Sequence, residues 1–184
     1  MRKERLLVVA YMGTGKTVLA RDYSNVIDLD FQDYMYIYDK SIRNLPLEKR
    51  KGKTELRTEN SEYPNNFITK IIVELEKDKI VAVPFIDHVL DAINSDKFKQ
   101  VVNQTRIILV FPYFNNFEEY VERFKRRGNN EEFILRRRKE FPDLIRLFEN
   151  LNYEKILIKP NQFLSQALIE YGIDLEKKNK KDNS

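Results

Sequence analysis

The sequence predicts an α/β fold in which one parallel sheet of five strands has helices on both faces. Short runs rich in Val, Ile and Leu alternate with segments of helical periodicity, as in proteins built from strand–helix–strand units. A glycine-rich loop separates the first apolar run from the first helical segment. With 184 residues, of which 42% are hydrophobic and 34% charged, the chain matches a single globular domain over residues 1–184.

The five strands are predicted from short apolar runs that polar or turn-forming residues bound. They are expected, in chain order, at Leu6–Val9, Asn25–Leu29, Lys79–Ile86, Arg106–Phe111 and Lys155–Ile158. Pro84 has no N–H to donate to a neighbouring strand, so the third strand is expected to end near it. The alternation of strands and helices, joined by right-handed crossovers, predicts the strand order 2-3-1-4-5 across the sheet.

The helices are predicted where apolar residues recur three and four positions apart, in some cases after an Asn cap or before a Gly stop. They are expected at Thr17–Tyr23, from Asn65 or Asn66 to Lys77, at His88–Phe98, from Asn115 or Asn116 to Gly128, at Glu131–Asn150 and at Asn161–Tyr171. The long helix is expected to break near Pro142. Residues 41–63 predict a polar arm with little periodicity, and the charged tail at residues 175–184 is expected to be frayed.

Residues 10–17 have the pattern of a phosphate-binding loop (P-loop), G-x-x-x-x-G-K-[ST], with Ala10 in place of the first glycine. They read Ala-Tyr-Met-Gly-Thr-Gly-Lys-Thr and directly follow the first strand. Gly13 and Gly15 let successive backbone N–H groups point into one concavity, and the helix that follows adds the positive end of its dipole. Ala10 is compatible with this loop if its φ angle stays negative. The motif predicts the three-layer fold of P-loop NTPases.

The motif also assigns chemistry to individual residues. Lys16 can reach the β- and γ-phosphates of a nucleoside triphosphate, and the Thr17 hydroxyl can ligate Mg²⁺. The sequence therefore predicts a site for a nucleoside triphosphate with Mg²⁺. The residues expected to contact it are Met12, Gly13, Thr14, Gly15, Lys16 and Thr17.

Carboxylates follow two predicted strands at the edge where parallel sheets bind ligands. Asp28 and Asp30 end the second strand and lie on the same side of an extended backbone. One could hold Mg²⁺ while the other orients an acceptor hydroxyl, although a strand end that caps a helix would have the same sequence. Asp87 follows the third strand, where it is either a Walker-B-type Mg²⁺ ligand or the N-cap of the next helix.

Basic residues cluster at the end of the predicted helix that stops at Gly128. Arg123 and Arg127 are four residues apart, so they share one helical face and could clamp one polyphosphate. Phosphoryl transfer requires cations around the developing charge, which favours a functional interpretation of this pair. For the second basic run, Arg136–Lys139, a solvated helix face is the favoured interpretation.

These features together resemble the nucleoside monophosphate kinase-like group, which includes adenylate and shikimate kinases. The resemblance rests on the P-loop, the strand ending in Asp-x-Asp, the polar arm, the strand that ends near an acidic residue and the Arg-x-x-x-Arg pair. The stretch from Tyr63-Pro64-Asn-Asn-Phe to Arg127-Gly-Asn-Asn looks closest to small nucleotide kinases of bacteria and phages. The resemblance to the kinase-like group covers roughly residues 5–170, and the P-loop is its most specific motif.

The resemblance implies a phosphotransferase that moves the γ-phosphate of ATP to a small nucleotide, with ATP and Mg²⁺ as cofactors. It makes residues 123–140 a lid, and it puts Lys159 beside the adenine. The arm at residues 41–63 would face the acceptor. The residues with expected catalytic roles are Lys16, Asp30, Arg123 and Arg127, and those expected to contact the acceptor are Asp30, Arg43, Arg57 and Tyr63.

Other functions are also compatible with the sequence. A hydroxyl acceptor, either a small molecule or a 5′-hydroxyl polynucleotide, would use Asp30 as its base. A protein that binds ATP without transferring phosphate is a further alternative, against which the intact Lys16, Thr17 and Asp30 argue. A GTPase is disfavoured because no glycine has an aspartate three residues before it, and the N-K-x-D match at residues 179–182 lies in the charged tail.

Composition argues against several further classes. No apolar run approaches the ~20 residues that span a bilayer, so no membrane partner is expected. The absence of cysteine and the single histidine disfavour a zinc enzyme. A cytoplasmic location is expected because no signal-peptide pattern is present. The net charge of +4 suits an anionic small molecule but does not by itself favour nucleic acid.

Overall fold

The structure, a computed structural model, describes residues 4–50 and 52–178, and a sheet of five parallel strands forms its centre. In chain order the elements are β1 (Arg5–Ala10), α1 (Lys16–Asp22), β2 (Val26–Asp28), α2 (Gln32–Met35), β3 (Tyr36–Tyr38), α3 (Leu47–Arg50), β4 (Arg57–Glu59), α4 (Asn65–Glu76), β5 (Ile80–Pro84), α5 (Asp87–Asn94), α6 (Asp96–Val102), β6 (Thr105–Pro112), α7 (Phe117–Arg126), α8 (Glu131–Asn150), β7 (Glu154–Ile158) and α9 (Leu164–Glu170).

The strands of the central sheet lie in the order β2-β5-β1-β6-β7, and all neighbouring pairs are parallel. When these five strands are counted among themselves, the order is 2-3-1-4-5, as the sequence predicted. Strand β1 lies in the middle, with Val8 in register with Ala82 on one side and Ile108 on the other. The carboxyl ends of all five strands therefore share one edge, and the loop after β1 lies at its centre.

The two faces of the sheet carry separate apolar layers because side chains alternate along each strand. Leu7 and Val9 belong to one layer, together with side chains of α4, α5, α7 and α8. Leu6 and Val8 belong to the other, which α1 and α9 cover. The predicted arrangement of one parallel sheet between two layers of helices is thus confirmed.

A small antiparallel sheet lies partly within the segment that the sequence predicted as an arm with little periodicity. Strand β3 pairs with β4, with Ile37 opposite Thr58. Residues 41–63 also contain α3 and a 3₁₀ turn at Thr54–Leu56. The segment is therefore more regular than its sequence indicated, because its strand pairs with residues that precede it.

Helix α8 continues through Pro142, so the predicted break near this residue was wrong. Proline cannot donate a hydrogen bond to the carbonyl of Arg138, but it lies on the exposed side of the helix. Phe141 and Phe148 bury their rings in the core, which holds the helix in place across the proline. Within residues 4–50 and 52–178, no helix has both the length and the apolar character needed to cross a membrane.

Two predicted helix boundaries and one predicted helix cap differ from those observed. The segment His88–Phe98 belongs to two helices, because Ser95 has an extended backbone between α5 and α6. The last helix begins at Leu164 rather than Asn161, whose φ of 60° is incompatible with a right-handed helix. Helix α4 begins at Asn65 without a side-chain cap, so the predicted capping by Asn65 or Asn66 was wrong.

The beginning of the predicted frayed tail is attached to the body of the protein. The N–H of Ser24 donates a 2.7 Å hydrogen bond to the carbonyl of Glu176, and the N–H of Lys178 donates one of 2.9 Å to the carbonyl of Asp22. Backbone hydrogen bonds thus hold residues 175–178, and fraying was wrong for them. Residues 179–184, which include the N-K-x-D match, lie outside the described residues.

Candidate functional site

The loop between β1 and α1, residues 11–15, turns sharply at the carboxyl edge of the sheet. Gly13 and Gly15 have φ angles of 80° and 106°, in the left-handed region that favours glycine. The hydroxyl of Thr14 donates a 2.8 Å hydrogen bond to the carbonyl of Tyr11. The N–H of Leu19 donates to the carbonyl of Gly15, which begins α1. The two glycines of the P-loop pattern are therefore the residues at which the backbone makes its left-handed turns.

Neighbouring side chains enclose this loop and leave little room beside its glycines. A Cβ atom on Gly13 would lie 3.1 Å from Cε1 of Phe124 and 3.3 Å from Cδ1 of Tyr120, both on α7. On Gly15 it would lie 3.4 Å from Cδ1 of Phe163, in the connection between β7 and α9. The loop is thus held between α7 and the β7–α9 connection.

Lys16 is the first residue of α1, and its side chain folds back over the loop. Its Nζ donates a 3.4 Å hydrogen bond to the carbonyl of Ala10. Ala10 is fully buried at the end of β1, between β5 and β6. In the described part of the chain, the only non-glycine residues with positive φ are Asp78 and Asn161. Ala10 therefore has the negative φ angle that alanine requires at the first position of the P-loop pattern.

Two of the predicted Mg²⁺ ligands are in direct contact. The hydroxyl of Thr17 donates a 2.8 Å hydrogen bond to Oδ2 of Asp28, since α1 packs beside β2. Asp87 is exposed at the first position of α5, after Ile86, which occupies the N-cap position. Among residues 4–50 and 52–178, no group of three His, Cys, Asp or Glu side chains could hold a metal alone. Mg²⁺ at Thr17 and Asp28 would therefore need phosphate and water oxygens as further ligands, which is its usual mode of binding.

Asp30 stabilises the turn that leads from β2 into α2. Its Oδ1 accepts a 3.0 Å hydrogen bond from the N–H of Gln32. Leu29, between the two aspartates, is buried and its N–H bonds to the carbonyl of Ala82. The Asp30 carboxylate therefore has a structural contact, and a structural role was one of the alternatives that the sequence left open. Its role toward an acceptor stays a prediction.

Arg123 and Arg127 lie four residues apart but have different surroundings. The guanidinium of Arg123 is largely buried and donates to the carbonyls of Gly13 at 3.0 Å and Gln162 at 2.9 Å. It also forms an ion pair with Glu119. Arg127 is exposed at the C-terminal cap of α7. Of these two arginines, only Arg127 presents its side chain to solvent.

The predicted lid, residues 123–140, consists of the end of α7, a short turn and the start of α8. Gly128, with a φ of 77°, follows the end of α7 at the position where the sequence predicted its stop. Asn130 accepts a 2.9 Å hydrogen bond from the N–H of Phe133 and thereby caps α8. The rings of Phe133 and Phe124 are in contact, with 5.4 Å between their centres. In this structure the two helices of the segment pack against each other.

The predicted adenine contact, Lys159, borders a groove of about 270 Å³ between β7 and α9. Its N–H donates a 2.9 Å hydrogen bond to Oε1 of Gln162, and its Nζ forms a 2.9 Å ion pair with Glu170. Phe163, which the sequence did not single out, exposes 49% of its surface beside Gly15.

The predicted acceptor residues of the arm are spread over the hairpin. The guanidinium of Arg57 stacks on the ring of Tyr36 at 3.8 Å, and Arg43 is exposed. Arg50, which the sequence analysis did not select, forms a 2.6 Å ion pair with Asp33. The hairpin also carries a groove of about 260 Å³ that Arg57 helps to line. Basic side chains are thus held along this element by rings and carboxylates.

Tyr63 stands at the junction between the arm and α4, with its ring near those of Phe67 and His88. Its hydroxyl is buried and has no hydrogen-bond partner in the described structure. Burial raises the pKa of Tyr63 to about 12, and the nearby charges of Asp91 and Tyr36 add to this effect. The phenol is therefore neutral at physiological pH, and its buried hydroxyl would have to be uncovered before it could contact a ligand.

Sequence reasoning missed the residues that join the loops around the site. Glu119, Gln162 and Phe163 all contact Arg123, and none was predicted. The spacing of Glu119 four residues before Arg123 was a visible signal for a helical ion pair. The contacts of Gln162 and Phe163 had no local signal, because they join residues that are distant in the sequence.

Comparison of this chain with protein-family models found no match, and comparison with curated proteins found none either. A function is therefore inferred from the loop after β1 and from the side chains around it.

Proposed function

We propose that this protein has a P-loop fold and is an ATP-dependent phosphotransferase, with a small nucleotide as the favoured acceptor. One observation carries the proposal. The loop after β1 has left-handed glycines at positions 13 and 15, and it is followed by Lys16 folded over the loop and by the Thr17–Asp28 pair at 2.8 Å. A lysine, a hydroxyl and a carboxylate around one glycine-rich turn are the groups that polyphosphate binding requires.

The donor phosphates would lie on the backbone N–H groups of residues 12–17. The ammonium group of Lys16 lies 3.4 Å from the Ala10 carbonyl, a long hydrogen bond that a shorter ion pair with a phosphate oxygen can replace. Thr17 and Asp28 would hold Mg²⁺, which neutralises charge between the β- and γ-phosphates when it is bound. Arg127 would then supply a cation from the end of α7 as charge develops on the transferred group.

The acceptor would approach along the hairpin and Tyr63. Arg43 and Arg57 can neutralise an anionic group, and the phenol of Tyr63 could donate a hydrogen bond once its buried hydroxyl is uncovered. A nucleoside monophosphate already carries a nucleophilic oxygen, so it needs charge neutralisation more than a base. The basic residues of the hairpin favour such an acceptor over a neutral alcohol.

The proposal is tested by incubating the protein with radiolabelled ATP, Mg²⁺ and a panel of acceptors: nucleoside monophosphates, nucleosides, small alcohols and 5′-hydroxyl oligonucleotides. We expect transfer to at least one monophosphate. The Lys16→Ala variant should lose roughly 10²- to 10³-fold in kcat/KM, the scale for one lost donor to phosphate charge. Lys99→Ala, which removes an exposed lysine of α6, is the matched control and should keep full activity. Equal transfer by Lys16→Ala and the native protein would refute the proposed donor site.

The acceptor class is decided by a second set of variants in the same assay. If Arg43→Ala and Arg57→Ala lower kcat/KM while Asp30→Asn has little effect, the acceptor is an anionic nucleotide. If Asp30→Asn abolishes transfer and the arginine variants are active, the acceptor is a hydroxyl group that needs a base. Tight ATP binding without transfer to any acceptor would favour a protein that only binds ATP.

A further inference from the structure

The guanidinium of Arg123 joins two loops that are far apart in the sequence. Nη1 donates a 3.0 Å hydrogen bond to the carbonyl of Gly13, and Nη2 donates one of 2.9 Å to the carbonyl of Gln162. The first carbonyl lies in the β1–α1 loop and the second in the β7–α9 connection. Only 11% of the Arg123 side chain is exposed, so these bonds are shielded from water. They should therefore be stronger than exposed ones.

Aromatic rings and a carboxylate fix the orientation of this guanidinium. Its central carbon lies 4.7 Å from the ring centre of Tyr120 and 4.4 Å from that of Phe163. Nη2 also donates to Oε1 of Glu119. The Arg123 side chain is thus held by cation–π contacts, by an ion pair and by the two carbonyls.

Glu119 adds a further bond from α7 to the β7–α9 connection. Its Oε2 accepts hydrogen bonds from the N–H of Asn161 at 2.9 Å and from the side-chain amide of Asn116 at 2.7 Å. Burial raises the pKa of the Glu119 carboxyl, but the N–H donors around it outweigh burial and hold the pKa below its usual range. The carboxylate is therefore charged at neutral pH, as the ion pair with Arg123 requires. We call Arg123 and Glu119 together the brace.

The loops that the brace joins also touch each other directly. The N–H of Leu164 donates a 3.0 Å hydrogen bond to the carbonyl of Thr14. The ring of Phe163 lies where a Cβ on Gly15 would be in close contact. Displacement of one loop would therefore disturb the other.

We propose that Arg123 and Glu119 are positioning residues that hold the β1–α1 loop in its phosphate-binding shape by tying it to the β7–α9 connection. This inference rests on the proposed function, and it assigns to Arg123 a role different from that of a lid arginine. Contact of Arg123 with a transferred phosphate would break its bonds to the Gly13 and Gln162 carbonyls and leave Glu119 without its cation. The cation for the transferred group would then be Arg127, whose side chain is exposed.

The first test measures amide hydrogen exchange without nucleotide, so that it does not depend on the proposed function. Peptides covering residues 11–17 and 159–164 should both exchange faster in Arg123→Ala and in Glu119→Gln than in the native protein. The matched control is Lys70→Ala, which removes an ion pair of the same i,i+4 spacing, Lys70–Glu74, from α4. Exchange that stays native in both peptides in either brace variant, or that rises equally in Lys70→Ala, would overturn the brace.

The second test separates positioning from direct action on the reaction. We expect Arg123→Ala and Glu119→Gln to weaken binding of Mg·ATP and of inorganic tripolyphosphate by about 10- to 100-fold, the scale of a lost charged hydrogen bond. Arg123→Lys should be weakened as well, since one ammonium group cannot span both carbonyls. At saturating Mg·ATP, kcat should change much less than the dissociation constant does.

A large fall in kcat for Arg123→Ala with unchanged affinity would make Arg123 a catalytic residue and would overturn the inference. Unchanged affinity and unchanged kcat would overturn it too, because the brace would then contribute to the fold alone. If the native protein binds neither Mg·ATP nor tripolyphosphate, the proposed function fails, and the exchange experiment by itself decides whether the two loops are coupled. If Arg123→Ala does not fold, Glu119→Gln, which keeps the shape of the side chain, gives the answer in both assays.

Discussion

At Gly13, both the backbone conformation and the packing require a residue without a side chain. Its φ of 80° is unfavourable for any residue with a Cβ atom, and that atom would also meet the rings of Phe124 and Tyr120. Gly172 has a similar φ of 86°, but nothing lies within 4 Å of the position that its Cβ would take. The two glycines therefore allow backbone strain and crowding to be separated.

We expect Gly13→Ala to lower the free energy of unfolding by about 2–4 kcal/mol, as the sum of left-handed strain and overpacking. Gly172→Ala carries the strain without the crowding and should cost about 1–2 kcal/mol. Urea unfolding of both variants measures the difference. Equal losses in the two variants would mean that the rings of α7 move away from Gly13 at no cost.

The contact between Thr17 and Asp28 leads to a prediction about the metal. Thr17→Val keeps the shape of the side chain and removes the hydroxyl, so we expect phosphate transfer to fall by roughly 10²-fold or more, with a higher Mg²⁺ concentration for half-maximal rate. Thr17→Ser retains the hydroxyl and should remain within about tenfold of the native rate. Mg²⁺ titrations of the transfer assay test both statements. A native Mg²⁺ dependence in Thr17→Val would exclude the hydroxyl as a ligand.

At the scale of single elements, partners outside a helix decide where it continues and where it stops. Helix α8 passes through Pro142 because the buried rings of Phe141 and Phe148 fix the turns around it.

Helix α4 carries a charged residue, Glu74, on its buried face. The Glu74 carboxylate is buried and accepts hydrogen bonds from Lys70 at 2.7 Å and Lys77 at 2.9 Å.

The environment of Glu74 predicts how α4 responds to acid. The hydrogen bonds from Lys70 and Lys77 hold the pKa of Glu74 below its usual range despite burial. Because the pKa is lower in the folded state, this stabilisation is present above the unfolded value of about 4.3 and is lost as the pH falls through the folded pKa.

We expect Glu74→Gln to be less stable than the native protein by about 1–3 kcal/mol at pH 7, with the difference shrinking below about pH 4. Urea unfolding at several pH values measures it. Glu76→Gln, at an exposed position of the same helix, is the control and should show almost no difference at either pH. A gap for Glu74→Gln that does not change with pH would contradict the assigned charge.

At the scale of the whole molecule, aromatic rings connect the central sheet to α8 and to the loop after β1. Phe111 of β6 is fully buried, and its ring centre lies 4.8 Å from that of Tyr11, 5.4 Å from Phe85, 5.3 Å from Phe141 and 5.2 Å from Phe148. Tyr11 is the first residue of the loop after β1. These rings therefore pack against Tyr11 at the start of the loop, and they also hold α8 on the sheet.

Removal of the Phe111 ring should be among the most destabilising single changes in the chain. We expect Phe111→Ala to cost about 3–5 kcal/mol, a large part of the ~5–15 kcal/mol that stabilises a typical domain. Phe111→Leu keeps most of the volume and should cost less than about 2 kcal/mol, so it remains measurable if the alanine variant does not fold. Thermal and urea unfolding give both values. Leu135→Ala, at a position that is 64% exposed, should have little effect.

The sequence by itself determined the five strands, their order and the loop with Gly13, Gly15, Lys16 and Thr17. These follow from local patterns: alternation along a strand, helical periodicity and glycines at fixed spacing are properties of neighbouring residues. The right hand of crossovers then converts chain order into strand order. The contact of Thr17 with Asp28 could be anticipated in the same way, because both lie at the carboxyl edge of adjacent segments.

Only the tertiary structure decided which partners the predicted side chains have. Arg123 donates to Gly13, 110 residues earlier, and to Gln162, 39 residues later. Residues 36–38 and 57–59 pair as a hairpin although the segment between them is polar. Such contacts depend on how elements pack in three dimensions, and no pattern among neighbouring residues encodes them. Helical periodicity therefore predicted that Arg123 and Arg127 share one face. Only the packing shows that Arg123 is buried between two loops and two rings, whereas Arg127 is exposed.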